Sequence, residues 1–250
     1  MRDHLVIALV VLLAACGGTG QATPDGLERQ VVVSAAASLT DAFAEIEVAF
    51  EAANPGVDVV LNLGASSTLR EQILAGAPVD VYAAANTLTM ADVVAAGRSD
   101  GDPVVFAQNS LAIAVAAGNP GGVTGLEDFA RGELLIGLCA PGVPCGDFAR
   151  QALAGAGVVP AVDTNEPNVR ALITKIELGE LDAGIAYATD VMSTPRIEGL
   201  EIPEEHDVRA DYPITVVAAA PHPRAAAAFV AFVLSGEGRR ILDEYGFSSP

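Results

Sequence analysis

The 250-residue chain carries 32 acidic against 13 basic residues, a formal charge of −19, and Lys175 is its only lysine. That balance excludes a broad basic surface for nucleic acid or anionic membranes, so any anion the chain binds must be held by local groups. Tryptophan is absent and aromatics are few, which argues against a stacking platform for sugars or bases, and the length suits two lobes with separate cores and a cleft between them.

The N-terminus reads Met1-Arg2-Asp3-His4 and then an apolar run from Leu5 to Ala15. Such a run is too short to span a bilayer as a stable helix and has the form of a secretory signal. Leu13-Ala14-Ala15-Cys16 resembles the lipobox of bacterial lipoproteins. That resemblance implies removal of residues 1–15, diacylglycerol on the Cys16 sulfur, and a protein held by its lipid on the outer side of the cytoplasmic membrane. Residues 16–28 read as a small, polar tether.

Beyond the tether, apolar strand-like runs alternate with helical patterns, the signature of a mostly parallel sheet with helices on its faces, so the fold class is α/β. The pattern predicts a strand at 30–35, a helix at 39–53 ended by Asn54-Pro55-Gly56, a strand at 57–63 and a helix at 67–74. A strand at 79–83, a helix at 88–96 and a strand at 104–106 complete a first set. The second set has a strand at 110–115, a short helix at 126–130, a strand at 134–138, a helix at 145–154, a helix at 168–178, a strand at 183–187 and a return strand at 214–218. Helices at 224–234 and 237–245 carry stripes suited to packing back on the first lobe. The expected division is 29–108 with 217–250 as one lobe and 109–216 as the other, the two crossings forming a hinge.

Four of these helices begin in ways suited to an anion. Val31-Val32-Val33 runs through Ala35-Ala36-Ala37 into Ser38-Leu39-Thr40-Asp41, which puts a hydroxyl and free N–H groups at a helix N-terminus behind small side chains. The device recurs where Leu61-Asn62-Leu63 meets Gly64-Ala65-Ser66-Ser67, with Gly64 allowing close backbone approach and Ser66 placed as an N-cap donor. Pro144 starts a third helix and Pro167 falls in the expected first turn of a fourth. The plainer alternative stays open: Ser38 and Asp41 match the S-x-x-[DE] cap, in which such residues only satisfy a helix end.

Cys139 and Cys145 flank Ala140-Pro141-Gly142-Val143-Pro144, and in an exported protein a disulfide closing that loop is expected. The alternative is a reactive thiol at Cys145. It needs a nearby base, and neither His206 nor His222 has a recognisable partner spacing.

These residues resemble a known family, the molybdate-binding proteins (ModA type) of bacterial molybdate ABC importers, within the type II periplasmic binding fold. The resemblance covers nearly the whole mature chain. It runs through Ala35-Ala36-Ala37-Ser38-Leu39-Thr40, Ser66-Ser67-Thr68-Leu69, Ala75-Gly76-Ala77-Pro78-Val79-Asp80, Val143-Pro144, Ala183-Gly184-Ile185-Ala186-Tyr187 and Tyr245-Gly246-Phe247. It implies a two-lobed fold with a hinged cleft, and a ligand set of Ser38 and Ser66, the backbone N–H groups of Cys145 and Val169, and the Tyr187 hydroxyl. Cys145 stands where alanine is common in the family; since only its backbone would bind, the exchange is tolerable. The resemblance further implies a transported ligand, molybdate or tungstate, and no cofactor. The partners it implies are an ABC permease with a cytoplasmic ATPase, met by a monomer.

The chemistry of that set is coherent on its own. Molybdate is a tetrahedral dianion without a proton at neutral pH, so it offers acceptors only and requires a shell of donors. A carboxylate in the shell would suit hydrogen phosphate, which must donate its proton, and would repel a bare dianion. Arg70 and Arg170 read as solvated helix faces. Two rivals remain: a binding protein for sulfate or another tetrahedral oxyanion, and a secreted serine hydrolase. The second lacks a G-x-S-x-G elbow, S-x-x-K or H-E-x-x-H.

Overall fold

The structure is a computed structural model that describes residues 26–250. The expected signal peptide (1–15), lipidation of Cys16 and most of the tether (16–28) lie outside the described residues.

Among the described residues, ten strands and eight helices follow in order: β1 (Gln30–Ala36), α1 (Thr40–Ala53), β2 (Asp58–Gly64), α2 (Ser66–Leu74), β3 (Val81–Ala83), α3 (Thr87–Ala95), β4 (Val104–Asn109), β5 (Leu111–Ala116), β6 (Ile136–Cys139), α4 (Pro144–Gly155), β7 (Val162–Glu166), α5 (Val169–Glu177), β8 (Ala183–Tyr187), α6 (Ala188–Met192), β9 (Ile197–Glu201), β10 (Ala210–Val216), α7 (Pro223–Val233) and α8 (Gly236–Glu244). Short 3-10 turns occupy Ala37–Leu39 and Leu126–Ala130.

The strands form two five-stranded sheets, in the orders β2-β1-β3-β10-β4 and β7-β6-β8-β5-β9. In the first, β1 pairs parallel with β2 and β3, while β10 is antiparallel to both β3 and β4. The second repeats the plan: β6 is parallel to β7 and β8, and β5 is antiparallel to β8 and β9. The reversed strand of each sheet is the first one met after the chain crosses over, β5 on the way out and β10 on the way back. The architecture is a two-lobed α/β fold.

Two expectations need correction. The return strand, β10, is hydrogen-bonded within the first sheet, so the chain comes back before Ala210 rather than at 216/217. The strands β7 and β9 were not anticipated. Both are sheet edges, and Val162–Glu166 and Ile197–Glu201 are too polar for the apolar-run signal because half or more of each stays partly wet.

The elements form for local reasons. β1 is central and buried on both faces, hence its run of valine and alanine. Helix α1 buries Ala42, Phe43, Ile46 and Phe50 at helical spacing. Phe50 and Phe43 meet Phe229 of α7 edge-on at 5.3 and 6.1 Å, which seats the C-terminal helices on the first lobe. Asp80, fully buried, accepts from Val32 N at 2.7 Å and His222 N at 2.7 Å, and lies 2.9 Å from His222 Nδ1. The carboxylate therefore ties the start of α7 to β1. No helix among the described residues is long and apolar enough to cross a membrane.

Candidate functional site

At the C-terminal ends of the strands, where the two sheets face each other, one small cavity is lined by Ser38, Ser66, Cys145, Val169 and Tyr187 together with Asn168 and a wall of small residues. Ends of strands from both lobes are the usual ligand position in open α/β sheets. All five residues named from the sequence are brought together here, and none is more than 5% exposed. The space is too small for an extended molecule. No lining side chain is charged.

Each lobe contributes helix starts. Ser38 lies in the 3-10 turn leading into α1, and Ser66 is the first residue of α2. Cys145 and Val169 lie in the first turns of α4 and α5, where a helix supplies no acceptor for its own N–H groups. Neither serine acts as a cap: the helix starts at Ala36, Leu39 and Ala65 carry no side-chain cap bond. The Ser38 hydroxyl is instead 2.9 Å from Tyr212 Oη, and Ser66 Oγ accepts from Ala85 N at 3.0 Å. The capping-box alternative fails for Ser38, and Ser66 is a helical residue rather than an N-cap. At α5 the cap is Asn168, whose side chain accepts from Ala171 N, so Pro167 precedes the helix instead of opening it. Gly64 lines the cavity, and a Cβ there would make only ordinary contact with Leu69 of the protein itself.

Tyr187 ends β8, is 1% exposed, and its hydroxyl makes no hydrogen bond of ordinary geometry among the described residues, although the Tyr212 hydroxyl lies close enough to interact with it. Burial raises its pKa well above the ordinary phenol value, so the group keeps its proton and remains a donor. An unpaired buried hydroxyl costs about 1–3 kcal/mol. Such a cost is expected where a ligand supplies the missing partner.

Cys139 and Cys145 are joined by a disulfide with Cα atoms 5.8 Å apart. The loop it closes is further held by Arg150, which donates to Cys139 O at 2.7 Å and Gly146 O at 2.9 Å. A Cβ on Gly146 would come within 2.3 Å of Cys139 O; only glycine lets α4 start so close to the end of β6.

Arg170 corrects the expectation of a solvated face. It pairs with Asp41 at the start of α1 and donates through Nε to Ala37 O at 3.4 Å, so a side chain of the second lobe grips the turn that carries Ser38. Its Nε also lies 3.4 Å from Oδ1 of Asp190, which is fully buried in α6. Burial pushes the Asp190 carboxyl up to about 7, with Arg170 opposing and Asp41 adding to the rise. Arg70 departs from that expectation too: its side chain is only 23% exposed, its Nε is buried, and its guanidinium pairs with Glu71 and with Asp92 at 2.7 Å.

Residues 31–248 match the family of bacterial extracellular solute-binding proteins. The chain belongs to that family. This solute-binding protein is 38% identical over 256 residues to the molybdate-binding protein ModA of Mycobacterium tuberculosis strain H37Rv, covering 100% of this chain and 98% of the relative. Among solved structures, the periplasmic molybdate-binding protein of Azotobacter vinelandii superposes with a TM-score of 0.75 at 18% identity, over 88% of this chain and 99% of that one. The sulfate-binding protein SubI of M. tuberculosis gives a TM-score of 0.78 at 20% identity, over 89% and 87%. At those identities both structures establish the two-lobed fold and leave the choice of anion to the cavity.

Proposed function

We propose that this solute-binding protein captures molybdate, and also tungstate, outside the cytoplasmic membrane for an ABC importer, with Ser38, Ser66, the N–H groups of Cys145 and Val169, and Tyr187 as its ligands. The observation that carries the reading is the convergence on one cavity without a charged side chain of two serine hydroxyls, the first-turn N–H groups of two helices and the buried, protonated Tyr187 hydroxyl, which makes no hydrogen bond of ordinary geometry there. A dianion that only accepts hydrogen bonds is the complement of such a shell. Five charge-assisted bonds at about 1.5–3 kcal/mol each come to about 7.5–15 kcal/mol, which matches or exceeds the roughly 8 kcal/mol of micromolar binding, and the upper part of that range leaves a surplus for closing the lobes. The close similarity to a molybdate-binding relative supports the same anion.

In this reading the anion enters an open cleft and draws the lobes together, because only the closed form offers donors from both sides; a ligand shifts such an equilibrium by its differential affinity alone. A lipid on Cys16 keeps the monomer near a permease driven by a cytoplasmic ATPase. Calorimetric titration with molybdate, tungstate, sulfate and phosphate tests the reading. Molybdate and tungstate are expected to bind, and to bind more than tenfold more weakly when Ser38→Ala and Ser66→Ala are combined. Tighter binding of sulfate or phosphate, or no effect of the double substitution, contradicts it.

A further inference from the structure

The two serine hydroxyls are held in different ways. Ser66 Oγ receives a backbone N–H, from Ala85 at 3.0 Å, so the direction of that bond is fixed and the Ser66 proton is left for the cavity. Ser38 Oγ meets another hydroxyl, Tyr212 Oη, at 2.9 Å, and two hydroxyls can share one bond in either sense. If Ser38 gives its proton to Tyr212, the cavity receives a lone pair. If Tyr212 gives its proton to Ser38, the cavity receives a donor. We propose that Tyr212, outside the five-residue ligand set, is a positioning residue that donates to Ser38 and so fixes the Ser38 hydroxyl as a donor to the anion, making the cavity selective for oxyanions without a proton.

Several observations support that direction. Tyr212 is fully buried on β10 and its ring is packed edge-on by Tyr187 at 5.8 Å and Phe247 at 5.4 Å, which holds its oxygen against Ser38, with the Tyr187 hydroxyl as a further polar neighbour. Burial raises its phenol far above the ordinary range, so the proton to be donated is always there. The side-chain amide nitrogen of Asn109 lies 3.5 Å from the same Oη, on the end of β4 where the chain leaves the first sheet. Ser38 and Tyr212 both belong to the half built on the first sheet, so the bond is made within one lobe and does not wait for closure. With both serine oxygens already accepting, each has only a proton to offer. A P–OH group meeting these donors finds no acceptor, and its buried proton goes unpaired.

The inference rests on the oxyanion reading, and the test separates the two. Affinities for molybdate, sulfate and phosphate are measured by calorimetry on the full chain and on Tyr212→Phe, at a pH where phosphate retains a proton. Tyr212→Phe is expected to weaken molybdate about tenfold and to lower the ratio of molybdate to phosphate affinity by at least as much, because Ser38 can then accept from phosphate. A loss shared equally by all three anions indicates packing alone and overturns the proposal, as does an unchanged ratio. In a Ser38→Ala background Tyr212→Phe should change molybdate affinity by less than twofold; an undiminished effect there also overturns it. Should Tyr212→Phe fail to fold, 3-fluorotyrosine installed at position 212 keeps the ring and strengthens the donor, so molybdate must bind more tightly and a weaker or equal affinity refutes the role. A native chain that binds none of the anions overturns the oxyanion reading itself, whereas a native chain that binds molybdate while the variants behave as native removes only the role of Tyr212.

Discussion

Tyr187→Phe should act with opposite signs on binding and on stability. The substitution removes one oxygen and keeps the ring, so the edge contacts with Phe148 at 6.5 Å and Tyr212 at 5.8 Å remain. In the unliganded protein that oxygen is buried without a hydrogen bond of ordinary geometry, and its removal relieves a cost of up to about 1–3 kcal/mol. Each kcal/mol is worth about 2–4 °C in a chain of this size, so the unliganded variant should melt several degrees above the native protein. In the complex the same oxygen donates to a dianion, a bond worth about 1.5–3 kcal/mol, and the variant should bind molybdate about 10- to 150-fold more weakly. Because a ligand present at a hundred times its Kd adds about 2.7 kcal/mol of stability, the variant's lead in melting temperature should shrink at a molybdate concentration that saturates the native protein but not the variant. Differential scanning calorimetry reads both effects, the gain as a higher melting temperature without molybdate and the loss as a smaller rise when molybdate is added. A variant that melts lower without ligand, together with unchanged affinity, would show that the Tyr187 hydroxyl has a structural partner and does not face the anion.

Three further outcomes follow from the groups around the cavity. Arg170→Ala removes the grip on Asp41 and Ala37 O; the side chain is 29% exposed, so the loss is about 1 kcal/mol, and stopped-flow release of molybdate should quicken about fivefold. Equal release rates would assign that grip to the folded lobe alone. The Asp190 carboxyl titrates near 7 in the folded chain against 3.8 as a free group, so the folded state holds the extra proton and native stability falls as pH rises through that interval. Asp190→Asn abolishes this slope and should gain on the order of 2 kcal/mol over the native chain between pH 5 and 8 in urea unfolding, whereas parallel pH profiles would disprove the linkage. Replacing Cys139 and Cys145 together by serine opens the short loop at a cost of about 2 kcal/mol, while molybdate affinity should stay within about threefold because the binding group at Cys145 is its backbone N–H. A large affinity loss in the folded variant would mean that the bridge sets the donor geometry.

Much of the site was legible because its parts are local. Ser38, Ser66, Cys145 and Val169 each lie within a residue or two of a strand end or helix start, and those junctions are written in short runs such as Ala35-Ala36-Ala37-Ser38 and Val143-Pro144-Cys145. Family resemblance then joined the junctions into one ligand set, which periodicity alone could not do. What was missed acts at long range. Tyr212 meets Ser38 from 174 residues away, and Arg170 reaches Asp41 across 129; no spacing in a single sequence encodes either pairing. Arg170 looked solvated because it lies one position inside α5, yet that position faces the opposite lobe. Order along the chain places β10 with the second lobe, which it follows. Its partners are β3 and β4, and strand pairing is set by the sheet rather than by order along the sequence.

The central claim is that uncharged donors from both lobes enclose a single oxyanion. It is tested most directly by a crystal structure of the molybdate complex with diffraction recorded at the molybdenum absorption edge. The account predicts one anomalous peak inside the cavity, with its oxygens within hydrogen-bond distance of Ser38, Ser66, Tyr187 and the N–H groups of Cys145 and Val169. A peak elsewhere, or a charged side chain bonded to the anion in the place of those donors, would contradict it.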